Sequence, residues 1–367
     1  MNLKLWLGLL ISAVAFWYSA KDVNFGEAWR YVQSMNLWLL VPYSILIVVE
    51  VLIRAWKWQL LLVPIKHCSF IRLNAATLIG LFANNVLPAR AGEFIRAYAG
   101  SRLESISYST SFATVVLDRL LDGLTVSAIF VLALVLQPLP DEVKLAGYAA
   151  AIIYLGTLIV LVGLIVKQTA TVRLLEAILR PFPLRLRDLG LRTLRSFVEG
   201  LGVFRDPGLL AGTTAISFLI WAGYALSLYI MFLAFNIDLT VAHAFVVLLI
   251  LTILLTIPSS PGFFGVMEGA IVFGLGLYDV GPDQAFAVAI VYHVTQYLPI
   301  TIAGLVAVWV SRLSVGELAH VQGPPAEGQG SLEGRAPKPT SEGDSEPLSA
   351  SREAPREPAS ALRSDPH

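Results

Sequence analysis

Apolar runs and short polar breaks alternate from the first residues to about position 311, and two of the runs are cut by proline and glycine. The first run, 3–18 behind Lys4, reads as a retained first span, because Tyr18-Ser19-Ala20-Lys21 matches a leader cleavage site poorly. A mixed loop at 21–36 carries Trp29 and Tyr31, residue types suited to a membrane interface. Further spans are expected at 37–53, 111–136, 145–166, 209–235 and 284–309, each near the ~20 residues that a bilayer core requires.

The two interrupted runs are the informative ones. Residues 84–98 read Asn-Asn-Val-Leu-Pro-Ala-Arg-Ala-Gly-Glu-Phe-Ile-Arg-Ala-Tyr, directly after an apolar segment. Basic residues flank this unit on both sides: Lys66 and Arg72 before it, Arg102 after it. Ends that both stay with the positive side cannot be joined by one crossing. The unit 71–98 is therefore expected to enter the membrane and return, with its tip at 84–88. Pro88 removes a donor and pushes Leu87 out of helix, Gly92 permits close backbone approach, and Glu93 falls in the first turn of the returning helix. The second interruption is 258–268, with Pro258, Pro261, Gly262, Gly265 and Glu268. Acids and no bases flank it, so the hairpin 242–277 is expected to enter from the opposite side. Span, hairpin and span thus occur twice, which predicts an inverted repeat with a site at the membrane midplane.

Composition supports this. Of 367 residues 56% are hydrophobic and 14% charged, with mean hydropathy +0.71. Those values belong to polytopic membrane proteins. Formal net charge is zero, which gives no reason to expect a nucleic-acid partner. The single Cys68 excludes an intramolecular disulfide and zinc spacing. The distribution of charge orients the chain: 54–72 holds four bases and no acid and reads as a cytoplasmic loop, and 167–207 holds eight bases against four acids. The latter loop is amphipathic and interfacial in pattern. Residues 313–367 are rich in Pro, Gly, Ser, Glu and Ala and predict a disordered cytoplasmic tail.

Ionisable groups at membrane depth are functional candidates by default. Arg90 and Arg96 could hold a lipid phosphate in a planar fork, or pair with Glu93 at three-residue spacing. Asp118 and Asp122 share a face of the next helix, Arg119 can pair with Asp122, and Asp118 is then free to meet an arginine of the hairpin. Asn84 and Asn85 suit an open backbone at the tip. Glu268 is either a helix-start anion or a proton carrier, and His293 of the last span is either a functional intramembrane histidine or a hydrogen-bond link between helices. Glu50 is expected to pair with Arg54 one turn on. No metal or cofactor is expected.

The stretch 84–93 with Arg96, the run Ala113-Thr114-Val115-Val116-Leu117-Asp118-Arg119 with Asp122-Gly123, the stretch 258–268, and Tyr292-His293 with Leu298-Pro299 together resemble the lysylphosphatidylglycerol synthase transmembrane-region family. The resemblance covers nearly all of 1–312. It implies an integral membrane fold and, in some members, a flippase that moves lipids between leaflets; other members are linked to glycolipid or glycosyl-transfer pathways. The soluble aminoacyl-transfer domain of full-length synthases is not expected here. The expected protein is an all-α integral membrane protein of six to eight transmembrane helices, with two re-entrant hairpins and an inverted repeat. It is placed in the inner (plasma) membrane with both termini cytoplasmic. The expected function is movement of an anionic phospholipid or lipid-linked glycan headgroup, with a separate synthase or glycosyltransferase as a further partner. The alternatives are a glycosyltransferase acting on a lipid-linked substrate, with Asp118 and Asp122 as its acids, and a scaffold for a lipid-synthesis complex.

Overall fold

A backbone surrounded by hydrocarbon has to satisfy its own hydrogen bonds, and every regular element described is helical. The structure, a computed structural model, describes residues 3–87, 91–136, 141–166, 184–257 and 259–314. Among these residues there are twelve α-helices. α1 is Leu3–Ala20, α2 Phe25–Ser34, α3 Leu40–Leu62, α4 Phe70–Val86, α5 Gly92–Glu104 and α6 Tyr108–Leu136. α7 is Asp141–Val166, α8 Leu184–Gly200, α9 Pro207–Ala234, α10 Val241–Leu254, α11 Val266–Gly276 and α12 Pro282–Val310. Four stretches are long and apolar enough to cross a membrane: Leu37–Leu62, Val143–Gly163, Pro207–Ala234 and Pro282–Val310. Trp6–Ala20, Val241–Leu254 and Pro261–Gly276 are shorter apolar helical stretches.

Two sequence expectations are corrected. The mixed loop 21–36 contains α2, started by Asn24, whose side chain accepts from the Gly26 and Glu27 N–H groups. The basic loop expected from residue 54 is helix as far as Leu62, which carries Arg54, Lys57 and Trp58 into the core. The charges that suggested a loop are buried among partners instead.

α4 and α5 form the first hairpin. Its base is closed by Lys66 Nζ donating to the Glu104 carbonyl, the Ser69 N–H donating to Glu104 Oε1 at 3.0 Å, and Arg72 donating to the Leu103 carbonyl at 3.4 Å. Nearer the tip, a Cβ at Gly92 would lie 2.3 Å from the Gly80 carbonyl oxygen, so the two helices touch backbone to backbone. Leu87 is extended, at φ −96° and ψ 145°, as a residue before proline should be. Pro88 and Arg90 lie outside the described residues.

α10 and α11 form the second hairpin. Its base holds His243 edge-on to Tyr278, with ring centroids 4.5 Å apart. Its turn passes through the short 3-10 turn Pro261–Phe263, and Pro258 lies outside the described residues. α3 and α9 fix how the hairpins relate. Ser227 meets Glu50, Tyr224 meets Arg54, and the Asn36 N–H donates to the Ala234 carbonyl, so the two helices run antiparallel. Each hairpin follows the end of one of them. The hairpins therefore open from opposite ends of the bundle, and α3, hairpin, α6 is repeated in inverted sense by α9, hairpin, α12.

α1 packs on the second hairpin and α2 on the start of α12, where Asp283 accepts from the Asn24 N–H. α8 is the second amphipathic stretch of the basic loop and lies on α6 through Thr110, which donates to the Ser196 carbonyl at 3.0 Å. The first amphipathic stretch, at 167–183, and the tail from 315 on lie outside the described residues. Cys68, between α3 and α4, is buried, and burial together with the nearby Glu104 carboxylate pushes its thiol up to about 11. Maleimide labelling of the wild-type chain in detergent is therefore expected to be at least tenfold slower at pH 7.5 than that of a free-thiol peptide; equal rates would contradict this packing.

Candidate functional site

One group of buried charges gathers where α3, α5 and α6 meet. Glu50, Arg54 and Lys57 lie four and three residues apart on α3, which places them along one helical face. Asp118 and Asp122 share a face of α6 in the same way. Lys57, with no exposed surface, donates from Nζ to Asp122 Oδ1 at 2.6 Å and to the Asp118 carbonyl at 3.4 Å, and makes an ion contact of 2.7 Å with Asp118 Oδ1. Arg96 reaches Asp118 Oδ2 from α5 through Nη1 at 2.8 Å. Its guanidinium carbon lies 4.3 Å from the centre of the Trp58 ring, and Trp58 Nε1 donates to Thr114 Oγ1 at 2.9 Å. Arg119 sits at the margin, 3.6 Å from Asp118 Oδ2 and 3.7 Å from Asp122 Oδ2, with 37% of its side chain exposed. Arg54 donates to the Tyr224 hydroxyl at 2.5 Å and lies within electrostatic reach of both aspartates.

Four cations thus surround two carboxylates. Glu50 brings a third within reach of Arg54 and itself accepts from Ser227 at 2.9 Å; the balance stays positive. Three donors of this cluster are spare among the described residues: Arg96 Nε and Nη2 and Arg119 Nε are buried there without a hydrogen-bond partner. Buried polar groups are almost always paired. Guanidinium donors left over in a positive cluster are chemically able to take an anion with several acceptor oxygens, such as a phosphate.

The second cluster joins Glu268 of α11 to His293 of α12. Both are 2% exposed. Glu268 Oε2 accepts from the Gly265 N–H at 2.6 Å, and Oε1 lies 2.6 Å from His293 Nδ1. His293 Nε2 lies 2.9 Å from the Gly262 carbonyl oxygen. Phe264 and Tyr297 flank the imidazole, with centroids 4.7 and 5.8 Å away. The two hairpin tips meet on this part of α12: Asn85 Nδ2 donates to Thr301 Oγ1 at 2.8 Å, and the Tyr297 hydroxyl donates to the Asn85 carbonyl at 3.5 Å.

Several sequence expectations meet this geometry differently. Arg96 pairs with Asp118 and not with Glu93, for which no ion pair is found among the described residues. Glu50 and Arg54 do not pair with each other, because Ser227 and Tyr224 of the antiparallel α9 stand opposite them. Asn84 accepts from the Gly92 N–H at 2.9 Å and so starts α5. Asp118, Arg119, Asp122 and Arg96 come together. Glu268 and His293 come together elsewhere, and Arg90 lies outside the described residues. Lys57, which holds both aspartates, was not among the sequence candidates. Its spacing from Glu50 and Arg54 was the available signal.

A family model described as the lysylphosphatidylglycerol synthase TM region matches residues 5–304. A UPF0104 membrane protein of Methanocaldococcus jannaschii is 26% identical over 241 residues, covering 64% of this chain and 96% of that protein. A UPF0104 membrane protein of Methanothermobacter thermautotrophicus is 23% identical over 327 residues, covering 82% and 91%. A Haloferax volcanii protein named glycosyltransferase AglD is 24% identical over 262 residues, covering 63% of this chain and 42% of its own length.

Proposed function

Because the chain belongs to the lysylphosphatidylglycerol synthase transmembrane-region family and is a multi-pass integral membrane protein, we propose that it moves an anionic lipid headgroup between leaflets. The observation that carries this reading is the spare Arg96 Nε and Nη2 inside a positive, buried cluster. The lipid phosphate takes those donors and competes with Asp118 for the guanidinium, and Asp118 and Asp122 weaken the hold enough for release. The headgroup crosses against the protein while the acyl chains stay in lipid. In this reading Arg90 is a further phosphate contact, Arg119 is the point of entry, and the basic loops face the cytoplasm along with both termini.

The test is a reconstituted one. Vesicles of phosphatidylethanolamine and phosphatidylglycerol carry a trace of fluorescent phosphatidylglycerol, and an outside quencher reads which leaflet holds the probe. Arg96→Lys keeps the charge that pairs with Asp118 but loses the fork. It is expected to leave the unfolding midpoint close to wild type and to slow probe movement by tenfold or more, a loss of about 1.4 kcal/mol of phosphate binding. Equal rates in wild type and Arg96→Lys would remove the proposal. The relative named a glycosyltransferase favours a second cargo with the same phosphate chemistry, a lipid-linked glycan, and a polyprenyl-phosphate probe in the same vesicles separates the two. Direct glycosyl transfer gains less support, since both aspartates that would serve it are engaged by Lys57.

A further inference from the structure

The hydrogen bonds of the Glu268–His293 pair fix a proton count. The Gly262 carbonyl oxygen can only accept, so His293 Nε2 carries a hydrogen and donates it at 2.9 Å. Nδ1 stands 2.6 Å from Glu268 Oε1. Without a further proton, these would be a lone pair and a carboxylate oxygen facing each other in a site closed to water. One proton therefore lies between them, whether written as imidazolium with carboxylate or as imidazole with carboxylic acid. Glu268 Oε2 is already filled by the Gly265 N–H.

We propose that this dyad is a proton-binding site and that its proton holds the turn of the second hairpin closed. Both anchors belong to that turn: the Gly262 carbonyl and the Gly265 N–H. The turn is not a relaxed one. Gly262 and Gly265 have φ +72° and +83°, and Phe263 has φ +62°, a region that disfavours a residue with a side chain. It stays in place because the dyad grips it on one side and α1 on the other, where Ser12 Oγ accepts from the Ser260 N–H at 2.8 Å. When the proton passes to water, the pair becomes a neutral imidazole and a carboxylate with two acceptors in contact. The imidazole relieves this by turning, which gives up the Gly262 carbonyl and frees the turn. Phe264 and Tyr297 lie against the ring, and Tyr297 contacts Asn85, so the change reaches the first hairpin.

Among the described residues few other ionisable groups compete. Tyr297 is the one in ring contact with the dyad. On the elements packed around it, His243 at the start of α10 is held by Thr240, and Asp283 at the start of α12 by Asn24. Tyr292 packs on Tyr43, Tyr18 lies near the end of α1, and Arg72 stands at the far end of α4 on the Leu103 carbonyl. Glu50 lies within reach of Tyr292, and Arg90 lies outside the described residues. The use of this proton to drive lipid movement rests on the function proposed above; the proton site itself does not.

The experiment follows the turn and not the lipid. Ser259→Cys is made in a Cys68→Ser background, and the full chain is placed in phosphatidylethanolamine–phosphatidylglycerol vesicles. Maleimide labelling is then measured from pH 5 to 10 relative to a free-thiol peptide. The relative rate is expected to rise tenfold or more along a one-proton curve. Glu268→Gln, whose amide donates to Nδ1 at every pH, is expected to stay at the low-pH rate. His293→Gln is expected to lose the pH dependence too. A flat wild-type profile, or the same curve in both variants, would overturn the proposal. A pH-dependent turn in vesicles where fluorescent phosphatidylglycerol keeps to its leaflet would sustain the proton site and discard the lipid reading.

Discussion

Lys57→Met is expected to lower stability by about 3–5 kcal/mol, the usual cost of stripping one partner from a buried ion cluster. Methionine fills nearly the same volume, so the loss is electrostatic. Lys57 Nζ is the contact that Asp118 Oδ1 and Asp122 Oδ1 share, at 2.7 and 2.6 Å, and none of its surface is exposed. Without it the nearest cation left to Asp122 among the described residues is the distant Arg119, 3.7 Å away, with Arg54 beyond contact range. Adding Asp122→Asn should recover part of the loss, because the second acid then carries no charge while Asp118 retains Arg96. The control is Lys21→Met, whose partner Asp22 is 3.7 Å away with 70% of its side chain exposed. Exposed pairs contribute about 0–1 kcal/mol. Unfolding midpoints in detergent decide the matter: if Lys57→Met shifts no more than Lys21→Met, the cluster does not hold α3 to α6.

The same residue shows where sequence reading stops. The all-helical class and the two interrupted runs were legible, because hydropathy and the Pro/Gly breaks are local signals. So was the pairing of the hairpin with α6, since Asp118 and Asp122 lie four apart and an arginine, Arg96, stands in the returning helix of the hairpin. The end of α3 was not. Arg54 and Lys57 lower the local hydropathy, and the positive-inside pattern assigns such residues to a loop. What keeps them in helix lies sixty or more residues away, in the aspartates of α6, and no local pattern reports it. Glu50, Arg54 and Lys57 do share a helical face, and that spacing favours a continued helix over a loop. In the same way Glu268 and His293 were each visible, but their contact depends on how the second hairpin seats against α12. Long-range seating of this kind is set by packing, which composition and period do not encode.

Gly92→Ala is expected to damage the first hairpin far more than the addition of one methyl suggests. The new Cβ would stand 2.3 Å from the Gly80 carbonyl oxygen and 2.4 Å from the Asn84 side chain. The first of these is backbone, so a rotamer change does not remove the overlap. α4 and α5 must part, and the Asn84 bond to the Gly92 N–H stretches as they do. Overpacking of this kind costs about 1–3 kcal/mol. Separation also moves Arg96, one turn along α5, away from Asp118, so the loss extends into the charge cluster. Gly156→Ala in α7 is the comparison, since nothing lies within 4 Å of a Cβ there and no loss is expected. A Gly92→Ala protein that unfolds at the same midpoint as Gly156→Ala, and keeps the wild-type rate of probe movement, would mean that α4 and α5 do not meet backbone to backbone and that the hairpin does not set the position of Arg96.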